Sequence, residues 1–287
     1  MFGACLWEGA LMSTEVWMGY LLHHEPDYTV VQSPFTHRGL RVFGADSDAT
    51  TLAVAGLLHR LNHDEIPFVS VPGGVDALSL SSATGIPIFE VNDGDESPWE
   101  VLMSDEAMVV ISKTNASVEI PMMDVEIEVD AEFHGAIEAA WVQELSETHV
   151  SQGAYVSRSQ YEEAASSRLQ LHGQSSGHHV VWPPRFSHLV GGENADGMHL
   201  RRRGKVMTWT TLSAAGAPSE FSLRAPVLGG LSTVLLQLED GPNGVFLMVD
   251  DEDAVLAMDA QMELVFRRLY AQEGFVRYGL KARAIHD

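Results

Sequence analysis

Apolar residues recur with a helical period from Leu52 through Val54, Ala55, Leu57, Leu58 and Leu61, behind the potential caps Asp46 and Asp48. This spacing predicts an amphipathic helix that stops near Asn62-His63-Asp64. Short β-forming runs follow at residues 66–71, 88–91 and 108–111, divided by Pro72-Gly73-Gly74, Asn92-Asp93-Gly94 and Ser112-Lys113-Thr114-Asn115. A second helical stretch covers 132–145 and runs into a polar segment, 146–159, which marks a domain boundary. Beyond it lie a short helix at 161–169 and a Gly-, Ser- and His-rich module at 173–197 without regular period. Five β-runs then follow, at 205–212, 231–238, 244–249, 262–268 and 275–282, with Gly and Asp turns suited to a small closed barrel.

The pattern predicts an α+β multidomain chain. Residues 1–30 form a leading segment of unassigned structure, 31–150 a mixed α/β domain, 155–200 a helix plus a ribbon-like segment, and 201–287 a five-stranded barrel of OB type.

Composition narrows the function. Seventeen basic against forty acidic residues leave a formal charge of −23, which disfavours nucleic acid and anionic membrane surfaces as partners. The one cysteine, Cys5, rules out an internal disulfide and a multi-cysteine metal site, and a cytoplasmic location is expected. No run of about 18 apolar residues predicts a membrane span. Neither a Gly-x-Ser-x-Gly elbow nor a Gly-rich nucleotide loop is present.

Against this acidic background Arg201-Arg202-Arg203-Gly204-Lys205 places four cations in five residues. Arginine forks bind phosphates bidentately, so the run is a candidate anion site, with an ion-pair patch against this chain or a partner as the simpler reading. Trp182 is a candidate stacking surface, whereas Trp209 and Phe266 read as barrel core or packing residues. The acidic run Asp250-Asp251-Glu252-Asp253 lacks calcium-loop spacing and reads as a solvated turn.

The stretch from Arg203 to Thr211, Ala225-Pro226, the Glu239-Asp240-Gly241 turn, Leu264-Val265-Phe266-Arg267-Arg268 and Phe275-Val276-Arg277-Tyr278-Gly279-Leu280 follow in an order that resembles the acyl-CoA-associated OB-fold family (domain of unknown function 35). Upstream, Tyr161-Glu162-Glu163-Ala164 and Trp182-Pro183-Pro184-Arg185 are similar to that family's leading helix and to the bend of its rubredoxin-like zinc ribbon. The resemblance implies four cysteines flanking the bend. Here Gln174, Gly177, His188 and Gly191 stand in their places, so the ribbon is degenerate and zinc is not expected. His172, His178, His179 and His188 are the weak imidazole candidates for a replacement metal site.

The segment from Gly44 to Ala55, after His37-Arg38-Gly39, resembles the start of hydroxymethylglutaryl-CoA-synthase-like, thiolase-fold proteins, with an unrelated Asp-capped helix as the alternative. The nucleophilic cysteine of that fold is absent. The resemblances together imply a non-catalytic subunit that scaffolds a thiolase or hydroxymethylglutaryl-CoA synthase complex, in lipid metabolism of the mevalonate type. They imply a thiolase-fold partner of the acetyl-CoA acetyltransferase or hydroxymethylglutaryl-CoA synthase type. No cofactor is expected; a CoA thioester is the ligand they admit, touched by Trp182, Arg185, Arg201, Arg202, Arg203 and Lys205. The alternatives are a single-stranded nucleic-acid-binding OB protein and an acyl-CoA enzyme in the N-terminal half.

Overall fold

The computed structural model describes residues 14–90, 97–146, 158–176, 179–184 and 196–285. Strands β1 (Glu15–Trp17), β2 (Tyr20–His24) and β3 (Tyr28–Gln32) come first among the described residues, in a stretch that the sequence pattern left unassigned. The small strands β4 (Phe35–His37) and β5 (Leu40–Arg41) lead into helix α1 (Ala49–Arg60). Asp48 caps this helix and forms a reciprocal capping box with Thr51. Strand β6 (Val69–Val71), helix α2 (Ala77–Thr84), and strands β7 (Ile88–Glu90), β8 (Trp99–Ser104) and β9 (Met108–Lys113) complete a seven-stranded sheet ordered β1-β2-β3-β9-β8-β6-β7. Pairing is antiparallel from β1 through to β8 and parallel among β8, β6 and β7.

Helix α1 presses hard on this sheet. A Cβ at Gly56 would lie 2.3 Å from Ile111 Cδ1 and 2.8 Å from Val31 Cγ2, so only glycine admits the close approach. Nearly every side chain of α1 is buried, because the C-terminal half of the chain covers the face turned away from the sheet.

Strand β10 (Ile127–Glu128) adds in parallel to β4, and α3 (Ala131–Glu144), capped by Asp130, follows as the sequence predicts. Helix α4 (Arg158–Leu169) leads to three short strands, β11 (His172–Ser176), β12 (His179–Val181) and β13 (Asp196–His199), ordered β12-β11-β13. The segment read as irregular thus carries a small antiparallel ribbon; residues 185–195, which follow Trp182-Pro183-Pro184, lie outside the described residues.

Strands β14 (Arg203–Leu212), β15 (Leu231–Leu238), β16 (Asn243–Leu247), β17 (Gln261–Gln272) and β18 (Phe275–Ala284) form one antiparallel sheet ordered β16-β15-β14-β17-β18. All five expected β-runs are present, but in place of the expected closed OB-type barrel they form an open sheet. Its edge strands approach each other at a single parallel bridge, Met248 to Ala282, with Val249 N donating to Ala282 O at 3.0 Å. The ladder goes no further because the chain turns inward there: Asp250 Oδ1 reaches Lys281 Nζ at 2.7 Å. Leu264, Val265 and Phe266 of β17 share one apolar cluster with Leu52, Val54 and Leu57 of α1, so the two halves are built around a common core.

Candidate functional site

A cleft of about 860 Å³ opens between α4, the Trp182-Pro183 segment and the outer side of β16–β18. Its size is in the range of small-molecule sites. Trp182 and Phe246 stack in one wall, with centroids 5.6 Å apart and planes at 25°. Gly244 makes room for this pair, since a Cβ there would come within 2.5 Å of Phe246 and 3.0 Å of Trp182. Leu169, Leu269 and Leu280 supply apolar lining, Tyr270 and Tyr278 add phenols, and Arg168 and Arg277 bring positive charge. Burial raises the Tyr270 hydroxyl above its ordinary value and keeps it neutral. The Trp182 indole Nε1 is sealed from solvent and has no hydrogen-bond partner among the described residues.

Trp182 is the one residue singled out by sequence that lines this cleft. Arg168, Phe246, Tyr270 and Arg277 were missed, because only the three-dimensional neighbourhood of α4 and the sheet distinguishes them from ordinary helix and strand positions.

The basic run lies elsewhere. Arg201 Nη1 pairs with Glu239 at 2.8 Å and Nη2 with Asp240 Oδ1 at 2.9 Å, so the turn after β15 neutralises it. Lys205 Nζ is 3.7 Å from Asp259. Arg201 and Lys205 are therefore engaged in surface ion pairs, because the turn after β15 sets Glu239 and Asp240 beside Arg201 and the segment before β17 sets Asp259 near Lys205. Arg202 differs: one nitrogen, Nη2, donates to Leu169 O at 2.8 Å, while Nη1 is sealed and unpartnered among the described residues. Burial without a compensating anion pulls its guanidinium down to about 10. Arg201, Arg202 and Arg203 line a second cleft of about 430 Å³ with Trp17, Asn62 and Leu58. The two acids there, Glu239 and Glu263, are already paired, to Arg201 and Arg283. Leu169 connects the sites, its side chain lining the aromatic cleft and its carbonyl holding Arg202.

Arg185, His178 and His188 lie outside the described residues. His172 stacks on His199 across β11 and β13, with centroids 4.5 Å apart, and His179 is exposed on β12. Neither belongs to a group of three or more metal-ligating side chains among the described residues.

Under the cleft, acids and cations from both halves interlock. Asp46 meets Lys281 at 2.8 Å and Arg267 at 3.3 Å, while Arg224 meets Glu144 at 3.0 Å and Asp250 at 3.2 Å. Tyr278, in the cleft wall, donates to Asp48 Oδ2 at 2.8 Å and stacks on Phe266 at 5.2 Å. Within the acidic run at 250–253, expected as a solvated turn, Asp250 and Glu252 thus serve as counter-charges to Arg224, Lys281 and Arg283, while Asp253 is exposed. Nothing in its local spacing shows this, because its partners come from other strands.

No helix among the described residues is long and apolar enough to cross a membrane. No family model and no curated protein matches the chain. Among solved structures, it is similar to a chain described as "Ltp2-ChsH2(DUF35) aldolase", with 16% identity and a TM-score of 0.31, over 45% of this chain and 97% of that one. That description is of an enzyme, and it overturns the expectation of a chain without an enzymatic role.

Proposed function

We propose that this chain is a subunit of an acyl-CoA enzyme assembly, that its partner is a thiolase-fold enzyme, and that the aromatic cleft receives a CoA thioester. The observation that carries this reading is the cleft: an apolar trough with an indole in its wall and arginines in its lining, set in an OB-like module. An adenine or acyl group suits the Trp182 and Phe246 wall, and Arg168, exposed on α4, suits a phosphate. The order of residues resembling acyl-CoA-associated OB proteins supports the same ligand.

The outer half of β14 is the proposed partner-facing element. It pairs with β17 only over Arg203–Lys205, and Val206 still exchanges hydrogen bonds with Asp259 and Ala260, so the backbone of residues 208–212 has β15 on one side alone. Met207, Trp209 and Leu212 are exposed there, and an uncovered strand edge with apolar side chains is a ready docking element. Arg203, exposed and outside every ion pair among the described residues, adds a charge for an acidic contact.

The partner is tested by affinity purification of the chain from its native cells. A thiolase-fold protein that co-purifies in stoichiometric amount, and is lost when Trp209 is replaced by Asp, supports the assembly. A monomer recovered without such a partner contradicts it.

A further inference from the structure

Three histidines meet at the C-terminal end of α1, beside Trp17 of the smaller cleft. His59 is on its last turn, His63 follows four residues later, and His24 ends the neighbouring strand β2. The ring centroids lie 5.0 Å apart for His24–His59, 4.6 Å for His24–His63 and 5.1 Å for His59–His63. Imidazoles on a tetrahedral zinc-class ion, with metal–nitrogen bonds of about 2.05 Å, hold their centroids about 5.2 Å apart. The three sides of the observed triangle sit close to that length.

The hydrogen bonds around the triangle also suit ligation. His59 Nε2 is 2.8 Å from Glu15 Oε1, while His59 Nδ1 is buried and has no partner among the described residues. A carboxylate on one ring nitrogen and a free lone pair on the other is the arrangement that orients a metal-bound histidine. His24 Nδ1 is 3.1 Å from Thr29 Oγ1, so the tautomer carrying a proton on Nδ1 frees Nε2. That tautomer gives up the 3.4 Å approach of Arg60 Nη1, whose guanidinium has Tyr28 O and Pro26 O as other acceptors. The positive charge of Arg60 is met by Asp64 at 2.5 Å. His63 is exposed, which places the mouth of the triangle at solvent.

We propose that His24, His59 and His63 form a binding site for a divalent first-row transition metal of the zinc class, with the fourth position open to solvent. As they stand the donor atoms do not converge: in their present rotamers no group of three or more His, Cys, Asp or Glu side chains among the described residues could hold a metal ion. The centroids are in place, so rotation of the rings about their side-chain bonds, His63 above all, is the adjustment that ligation requires. Neutral imidazole is a good ligand for zinc, nickel and copper alike.

The test uses tag-free, chelator-treated full-length chain titrated with Zn²⁺ and, separately, Cu²⁺. The Trp17 ring lies 5.2 Å from that of His59, so it reports on the site from within. One equivalent of Cu²⁺ is expected to quench tryptophan emission, and Trp17→Phe to remove most of that quenching while Zn²⁺ still binds. His63→Ala, at an exposed position, is expected to fold and to weaken Zn²⁺ binding at least tenfold; Glu15→Gln weakens it by roughly ten- to hundredfold. The control His179→Ala leaves binding unchanged. Absence of saturable Zn²⁺ binding in the wild-type chain, or equal affinity of wild type and His63→Ala, overturns the site.

Discussion

Lys281 Nζ lies 2.8 Å from Asp46 Oδ2, and solvent reaches neither residue. The pair joins the loop before α1 to β18, so it couples the two halves of the chain across 235 residues. Burial alone would raise the Asp46 carboxyl, but Lys281 and Arg267 outweigh it and hold the group below its usual value. Its contribution to stability is therefore present above the ordinary carboxylate range and is lost as pH falls through the lowered folded-state value. Asp46→Asn leaves two buried cations short of a counter-charge. A loss of about 3–5 kcal/mol is expected in urea denaturation at neutral pH, and a loss below 1 kcal/mol would show that the pair does not join the halves.

Asp251 behaves in the opposite sense. Burial first, and then the neighbouring Asp46, push its carboxyl up to about 7 against the pull of Arg267. The folded state then keeps a proton that the unfolded state releases near pH 4, so this group makes stability fall as pH rises from about 4 to 7. Asp251→Asn is expected to flatten that part of the profile and to raise stability above pH 7 by about 1 kcal/mol or more. Urea midpoints at pH 5.5 and 8 measure it, and an unchanged difference between the two would count against the assignment.

Arg224 is held by three kinds of contact at once. Its Nε lies 3.0 and 3.1 Å from the two Glu144 oxygens, Nη1 is 3.2 Å from Asp250, and the guanidinium lies 3.9 Å from the centre of the Trp141 ring. Lysine has neither the planar fork nor the stacking face. Arg224→Lys is expected to lose about 2–4 kcal/mol by thermal or chemical unfolding, nearly as much as Arg224→Ala. Full stability in the lysine variant would mean that charge alone suffices.

Gly56→Ala ordinarily improves a helix by up to about 1 kcal/mol. Here the added methyl meets Ile111 and Val31, and a net loss of about 1–3 kcal/mol is expected from overpacking. A rise in melting temperature would refute the close approach of α1 to the sheet.

The legible parts of the chain were those governed by local rules. α1 could be read because an aspartate caps a run of apolar residues at helical spacing, α3 as a helical stretch over 132–145, and the five C-terminal strands because Gly and Asp turns separate them. β2 and β3 were not legible: Tyr20, Leu21, Leu22 and His23 are buried in succession, as are Thr29 to Gln32, and a strand covered on both faces loses its alternation. Charge was the poorest guide. Arg201 looked free until the β14–β15 pairing set Asp240 beside it, and Asp250 and Asp251 looked solvated until β17 and β18 brought Arg267 and Lys281 to them. The four-residue step from His59 to His63 is visible in the sequence, but His24 joins them only through the packing of α1 against the sheet.

The cleft beside α4 carries the functional reading, and Trp182 carries the cleft. Calorimetric titration of the full-length chain with acetyl-CoA is the most direct test. The account expects saturable binding, weakened at least tenfold by Trp182→Ala in a variant that stays folded at the assay temperature, and weakened further by Arg168→Ala. Absence of binding, or equal affinity in wild type and Trp182→Ala, would contradict it.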